Sequence, residues 1–245
     1  MKKSFYAWVL ALHALSFGAA AETLPVYNTY LTPPYVVGDG GLAADTVAYM
    51  NKKLDGKFEL KLNNLVRARL NFVALDSKDF KGAVLFMAPM FVGDNDKTKY
   101  NWSDTLIKDG NAVLSPAASK FSYSGPEALD GKLFVGVAGY RYAGLDDKFG
   151  KSIKREDVSN EESILKRMVE GKGDVALMAH SIAKYYVKQP EFSGKVNIDP
   201  KPYSTFTRHV LISKANPELS AELQKIVKEA EKDPAWKAIT AKYGL

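Results

Sequence analysis

The chain has 245 residues, 46% of them apolar and 25% charged, with a formal net charge of +6 and no cysteine. That apolar fraction is enough for a folded core and excludes a disordered chain, while the missing cysteines exclude disulfide scaffolds, thiolate metal sites and thiol catalysis together. The lysines are scattered rather than massed, which argues against a nucleic-acid surface and leaves a mild preference for anionic partners.

Lys2 and Lys3 precede an apolar run from Phe5 to Leu15, and Ala19, Ala20 and Ala21 supply small residues before Glu22. This is the pattern of a secretory leader cleaved after Ala21, and the run is short of the roughly 20 apolar residues a bilayer span needs. Residues 1–21 are therefore expected to be a signal peptide and the mature product an exported, periplasmic protein. Removing Lys2 and Lys3 lowers the formal charge from +6 to +4.

Leu24 to Tyr27 predicts a short strand, and Thr32-Pro33-Pro34-Tyr35 a rigid loop, because two prolines forbid both helix and central strand. After the Asp39-Gly40-Gly41 turn, Ala43, Val47, Met50 and Leu54 recur at helical spacing and Gly56 closes that helix. Phe58 to Leu62 alternates as a strand, and Asn64 is placed to cap a second helix with Leu65, Ala68, Phe72 and Leu75 on one face. Arg67 and Arg69 fall in its first turns, about 200° apart, so a regular helix aims only one of them at a given cleft. Ala83 to Met87 is a third apolar run, followed by Pro89 to Gly93 with Phe91. Three strands alternating with helices predict a parallel βαβ sheet. The polar segment Asp94 to Tyr100 leads to Asn101-Trp102-Ser103-Asp104, a strand over Ala112 to Leu114 follows, and the irregular stretch from Ser115 to Pro126 reads as passage to a second lobe.

That lobe opens with a strand over Leu133 to Val137, short and apolar enough to be buried on both faces. Tyr140, Arg141 and Tyr142 follow it, where open α/β sheets place their ligand contacts. The charged stretches Asp146 to Lys148 and Lys151 to Asp157 read as solvated surface. Ser159 and Glu162 have the spacing of a capping box for a helix carrying Leu165, Met168 and Val169, which Gly171 and Gly173 end. Val175 to Met178 predicts a strand, Ile182, Ala183 and Tyr186 a helix, and Val196 to Ile198 and His209 to Ile212 two more strands. Asn216-Pro217 and Asp233-Pro234 each pair a capping residue with proline at the first helical position, so the chain closes with two helices. No fixed-period repeat and no low-complexity tract is present.

Aromatic residues recur at the strand ends: Tyr27, Tyr30 and Tyr35, then Phe91, Trp102, Tyr140 and Tyr142. Rings so placed build an apolar ligand site with a few polar handles. Catalytic patterns are sparse. His180 and His209 have no second histidine or acid at metal-ligand spacing, and no GxSxG elbow, phosphate loop or GxGxxG turn is present. No catalytic residue, metal or cofactor is therefore expected, although 28 acidic residues leave paired carboxylates open.

In order and motif the chain resembles the family 3 bacterial extracellular solute-binding proteins, the periplasmic receptors of ABC importers for polar amino acids. Thr32-Pro33-Pro34-Tyr35 is similar to that family's Pro-Pro-aromatic loop and Trp102-Ser103-Asp104 to its Phe-Ser-Asp segment. Val135-Gly136-Val137 is similar to its strand into the second lobe, and Glu162 to Met178 to its helix-Gly-Asp-strand unit. The resemblance implies an α/β, two-lobed periplasmic binding protein-like fold of type II, each lobe a mostly parallel sheet flanked by helices, with two crossings. Lobe 1 is then residues 22–111 plus 207–245, lobe 2 is residues 112–206, and the terminal helices pack back on lobe 1.

Two departures bear on the ligand. Family members that bind amino acids usually carry an arginine shortly before the aromatic-Ser-Asp segment, where this chain has Lys97 and Lys99. The aspartate that usually ends the strand before the ligand's ammonium is here Ala179, followed by His180 and Ser181. The expected ligand-binding set is therefore Tyr30, Tyr35, Arg67, Arg69, Phe91, Trp102, Tyr140, Arg141, Tyr142 and His180, with arginine supplying the charge recognition. The expected function is capture of a small anionic or zwitterionic solute by a monomer for an inner-membrane ABC permease. A sensor or partner-binding role without transport is the alternative, and an enzyme on the same fold the more remote one.

Overall fold

Alternation of apolar and polar residues sets the first strands of the computed structural model, which describes residues 21–245; the expected leader lies outside the described residues. Strand β1 (Glu22–Asn28) buries Leu24, Val26 and Asn28 while its intervening residues stay partly accessible. Helix α1 (Leu42–Leu54) lays Leu42, Ala43, Val47, Met50 and Leu54 on the core and ends on Asp55 in the left-handed conformation. Strand β2 (Phe58–Asn64) runs two residues further than its pattern predicts and absorbs Asn64, which accepts from Asn28 Nδ2 at 2.8 Å instead of capping a helix. The next helical segment, α2 (Arg67–Leu70), is one turn and widens into a π turn over Asn71–Leu75. Strand β3 (Ala83–Met87) is buried along its whole length, as expected of a central strand.

After the short β4 (Asn101–Trp102) comes the long strand β5 (Ile107–Pro116), which begins well before the predicted Ala112. Strand β6 (Leu133–Val137) pairs in parallel with β7 (Lys154–Val158). β7 lies inside the stretch expected to be solvated surface: its charged side chains suit an exposed edge strand, whose backbone is satisfied on one side by β6. Helix α3 (Glu161–Val169) is capped by Asn160, whose Oδ1 accepts from Ser163 N at 2.9 Å, one residue later than the predicted Ser159. β8 (Ala176–Ala179), α4 (His180–Tyr186), β9 (Val196–Ile198) and β10 (Ser204–Ile212) follow. Helices α5 (Pro217–Ala230) and α6 (Pro234–Lys242) are capped by Asn216 and Asp233 as the sequence predicts.

The sheet order is β2-β1-β3-β10-β5-β8, with β4 on β10 and β9 on β5. β1 is parallel to β2 and β3, whereas β10 runs antiparallel to β3, β4 and β5. Strands β5 and β10 are thus a two-stranded antiparallel ribbon that carries the chain out of the β1–β3 region and back. The terminal helices return to that region: Tyr49 on α1 stacks 5.4 Å from Trp236, donates to Asp233 at 3.1 Å, and Asp45 accepts from Tyr243 at 2.8 Å. Among the described residues no helix is long and apolar enough to cross a membrane.

Candidate functional site

The ribbon forms the floor of a cavity of about 720 Å³. Side chains alternate along a strand, so Ser204, Phe206 and Arg208 of β10 share one face, and all three line the cavity with Asn111 of β5. Asn111 Nδ2 donates to Ser204 Oγ at 2.9 Å, closing the ribbon at its far end. Gly110 is required between the strands, since a Cβ there would lie 2.3 Å from the carbonyl oxygen of Ser204.

Arg208 is the charged centre of this floor and only 2% exposed. Its Nε donates to Asp109 Oδ2 at 2.5 Å and its Nη1 to the carbonyl of Phe86 at 3.1 Å. Phe86 has φ of 58°, a left-handed conformation costing about 1–2 kcal/mol for a bulky residue, and its carbonyl accepts from the guanidinium. The guanidinium lies 4.3 Å from the Tyr30 ring centroid and 5.1 Å from that of Phe206, a cation held between aromatic faces. Asp109 is saturated in turn: Oδ1 accepts from the backbone N–H of Gly110 and Ser181, and Oδ2 from Ser181 Oγ at 2.8 Å. Burial disfavours the Asp109 carboxylate, but the Arg208 charge and these N–H donors outweigh it and hold the carboxyl below its usual range.

The walls are mainly apolar and come from many elements. Tyr30 and Leu31 follow β1, Met90 and Phe91 follow β3, Ile164 comes from α3 and Met178 from β8. Glu161, the first residue of α3, is 8% exposed, lines the same cavity and accepts from Tyr140 Oη at 3.0 Å. Partial burial and that carboxylate push the Tyr140 hydroxyl up to about 12. Three of the chain's six arginines line the cavity, Arg67, Arg141 and Arg208, and no lysine does.

Six of the ten expected ligand residues come together here: Tyr30, Arg67, Phe91, Tyr140, Arg141 and Tyr142. Arg67 is oriented by Asn71 Oδ1 at 3.0 Å and the Phe91 carbonyl at 2.7 Å. Arg141 is held less firmly, with a side chain 87% exposed and a 3.3 Å ion pair to Asp146. Tyr142 turns mostly inward, its ring against Phe134 and its hydroxyl accepting from Val137 N at 2.9 Å. The loop between them is braced by Arg155, which donates to the carbonyls of Val137 and Tyr140.

Four expected residues are placed elsewhere. Arg69 points away from the cavity and covers the exposed Phe72 ring at 5.2 Å, as the rotation between it and Arg67 requires. Tyr35 is fully buried behind Tyr30, its hydroxyl 2.8 Å from Ser181 Oγ. Trp102 is a structural residue: Nε1 donates to Asp94 Oδ2 at 2.8 Å, and Asp94 also accepts from the backbone of Thr98, Lys99 and Tyr100. His180 lines a separate cavity behind the ribbon, where burial and then Lys184 lower its pKa. The sequence reading missed Arg208, Glu161 and Asp109. The period-2 run Ser204-Thr205-Phe206-Thr207-Arg208 was the available signal for the first, since it extends the predicted strand and puts arginine on the face of Phe206.

No family model and no curated protein matches the sequence. Solved structures do match its fold. An ancestral arginine-binding protein bound to arginine is 21% identical, with TM-score 0.65, covering 91% of this chain and 99% of that one. The GluR0 ligand-binding core from Nostoc punctiforme in complex with L-glutamate is 16% identical, with TM-score 0.66 and coverages of 90% and 98%. An ancestral amino acid-binding protein described as a precursor of cyclohexadienyl dehydratase is 19% identical, with TM-score 0.64 and coverages of 91% and 95%. At these identities the likeness establishes architecture: the chain has the two-lobed α/β fold of periplasmic binding proteins, with the cavity on its crossing ribbon.

Proposed function

We propose that this protein is a periplasmic solute-binding protein, a divergent relative of the family 3 receptors, that captures a small zwitterionic or anionic solute with an apolar body. The observation that carries the reading is the pairing of opposite charges on one aromatic cavity: Arg208 in the floor and Glu161 in a wall, both buried. Arg208 offers a carboxylate a preorganised guanidinium, and Glu161 with Tyr140 offers an ammonium group an acceptor. The apolar walls suit a larger body than a short polar side chain, which fits the altered positions Lys97 and Ala179.

The lobe boundaries belong in the ribbon, with residues 22–111 and 207–245 on one side and 112–206 on the other. Closure of the two lobes over the solute gives the form that an inner-membrane ABC permease or a sensor recognises, and the protein acts as an exported monomer. A binder gains stability with ligand occupancy as RT ln(1 + [L]/Kd), so a melting screen is the direct test. Amino acids with aromatic or aliphatic side chains, short peptides and organic acids are compared at equal ionic strength. A zwitterion with an apolar body is expected to raise Tm with concentration, and Glu161→Gln to reduce that rise more for zwitterions than for simple carboxylates. Absence of stabilisation across the whole panel overturns the binding reading, and conversion of a stabilising solute into product on long incubation moves the protein to the enzymes.

A further inference from the structure

The second cavity, about 750 Å³, lies between the start of β5 with the residues leading into it, the first turn of α4, and helices α5 and α6. It shares no lining residue with the first. Five lysines border it, Lys108, Lys184, Lys228, Lys232 and Lys237, against two side-chain carboxylates, Asp104 and Glu231, with the last residue, Leu245, also in the lining, and no arginine. None of the five makes an ion pair among the described residues. The neighbouring carboxylate Asp233 does not relieve them, being committed to Lys53, Tyr49 and the N-terminus of α6.

We propose that this lysine-lined cavity is a second site, for a polyvalent phosphate-type anion. Like charges brought together without partners raise one another's cost, and a bound polyanion removes that repulsion. The number and kind of base suit a polyvalent phosphate: five ammonium groups on flexible stems act as point charges that meet its many oxygens from several directions, with no arginine fork present to impose a planar, bidentate geometry. The two sites are linked through Ser181, which lines the second cavity and donates through both N and Oγ to Asp109, the partner of Arg208. An anion held among these lysines therefore lies in the cavity that Ser181 lines, and Ser181 bears on the residue that fixes the floor of the first cavity.

The test is calorimetric titration of inorganic tripolyphosphate into the mature protein at constant ionic strength, beside flotation with vesicles of phosphatidylglycerol or phosphatidylcholine. One tripolyphosphate per chain is expected, weakened at least tenfold in Lys228→Glu/Lys232→Glu and unchanged in Glu161→Gln. Selective flotation with phosphatidylglycerol that is lost in the same double variant supports the site equally and identifies its source as a lipid headgroup. The proposal is overturned if neither probe binds saturably, if the double variant binds tripolyphosphate as the parent does, or if a short oligoglutamate binds and neither phosphate probe does. Each of these outcomes leaves the solute reading of the first cavity intact.

Discussion

The ribbon floor and the loop after β6 each bring an arginine to the same cavity and hold it in opposite ways. Arg208 is buried, paired to a buried aspartate, hydrogen-bonded to a backbone carbonyl and enclosed by rings. Arg141 stands in solvent with one long ion pair to Asp146. A buried pair is costly to break because its partner stays desolvated, while an exposed pair is worth little after screening. The floor is thus held in place by its buried partners, and the loop is left free to adjust.

The sharpest way to break that comparison is to remove the buried guanidinium. Arg208→Met leaves Asp109 buried without its counter-charge and is expected to cost about 3–5 kcal/mol in urea unfolding, with much of the loss recovered in Arg208→Met/Asp109→Leu. A single variant within 1 kcal/mol of the parent means the floor is not held as described. Next are the glycines of the two regions. Gly110→Ala forces a Cβ against a backbone oxygen and is expected to cost about 1–3 kcal/mol. Gly139→Ala, at φ of 79° in open space, is expected to lose only about 1–2 kcal/mol.

Acid titration sharpens the same contrast. Asp109 has a folded-state pKa below its ordinary value of about 3.9, so its contribution is present above that pH and is lost as pH falls through the folded value. The stability gap between parent and Asp109→Asn should be constant above about pH 5 and narrow below about pH 4. Asp146 is also held low, by the Tyr142 N–H and Arg141, but in solvent, so its gap should be small and fade with added salt. The smallest expected effect is that of Arg141→Ala, within about 0.5 kcal/mol of the parent in unfolding. Its consequence belongs in affinity: weaker binding of the solute found by the melting screen, with unchanged binding removing Arg141 from recognition.

Local physics made much of the fold legible. β3 and β6 fall on their predicted residues because short apolar runs, Ala83 to Met87 after Gly82 and Leu133 to Val137 after Lys132, leave few alternatives. The two terminal helices start where Asn216-Pro217 and Asp233-Pro234 predict, since capping depends only on adjacent residues. The site was legible in its chemistry and only partly in its membership. Aromatic rings after β1 and β3 do reach the cavity, yet Trp102 does not, because its indole N–H is taken by Asp94, eight residues earlier. β7 went unread because an edge strand needs no apolar alternation.

The amino-acid sequence by itself determined the strands β3 and β6 and the two terminal helices, which rest on spacing within a few residues, while the two-lobed fold was legible only as a resemblance over the length of the chain. Tertiary structure decided which charges matter. Arg208 and Asp109 are 99 positions apart, and Glu161 is brought to the cavity only when α3 docks on β6 and the loop after β6 turns Tyr140 onto it. A buried charge is defined by what surrounds it in space, and propensity along the chain carries no record of that environment.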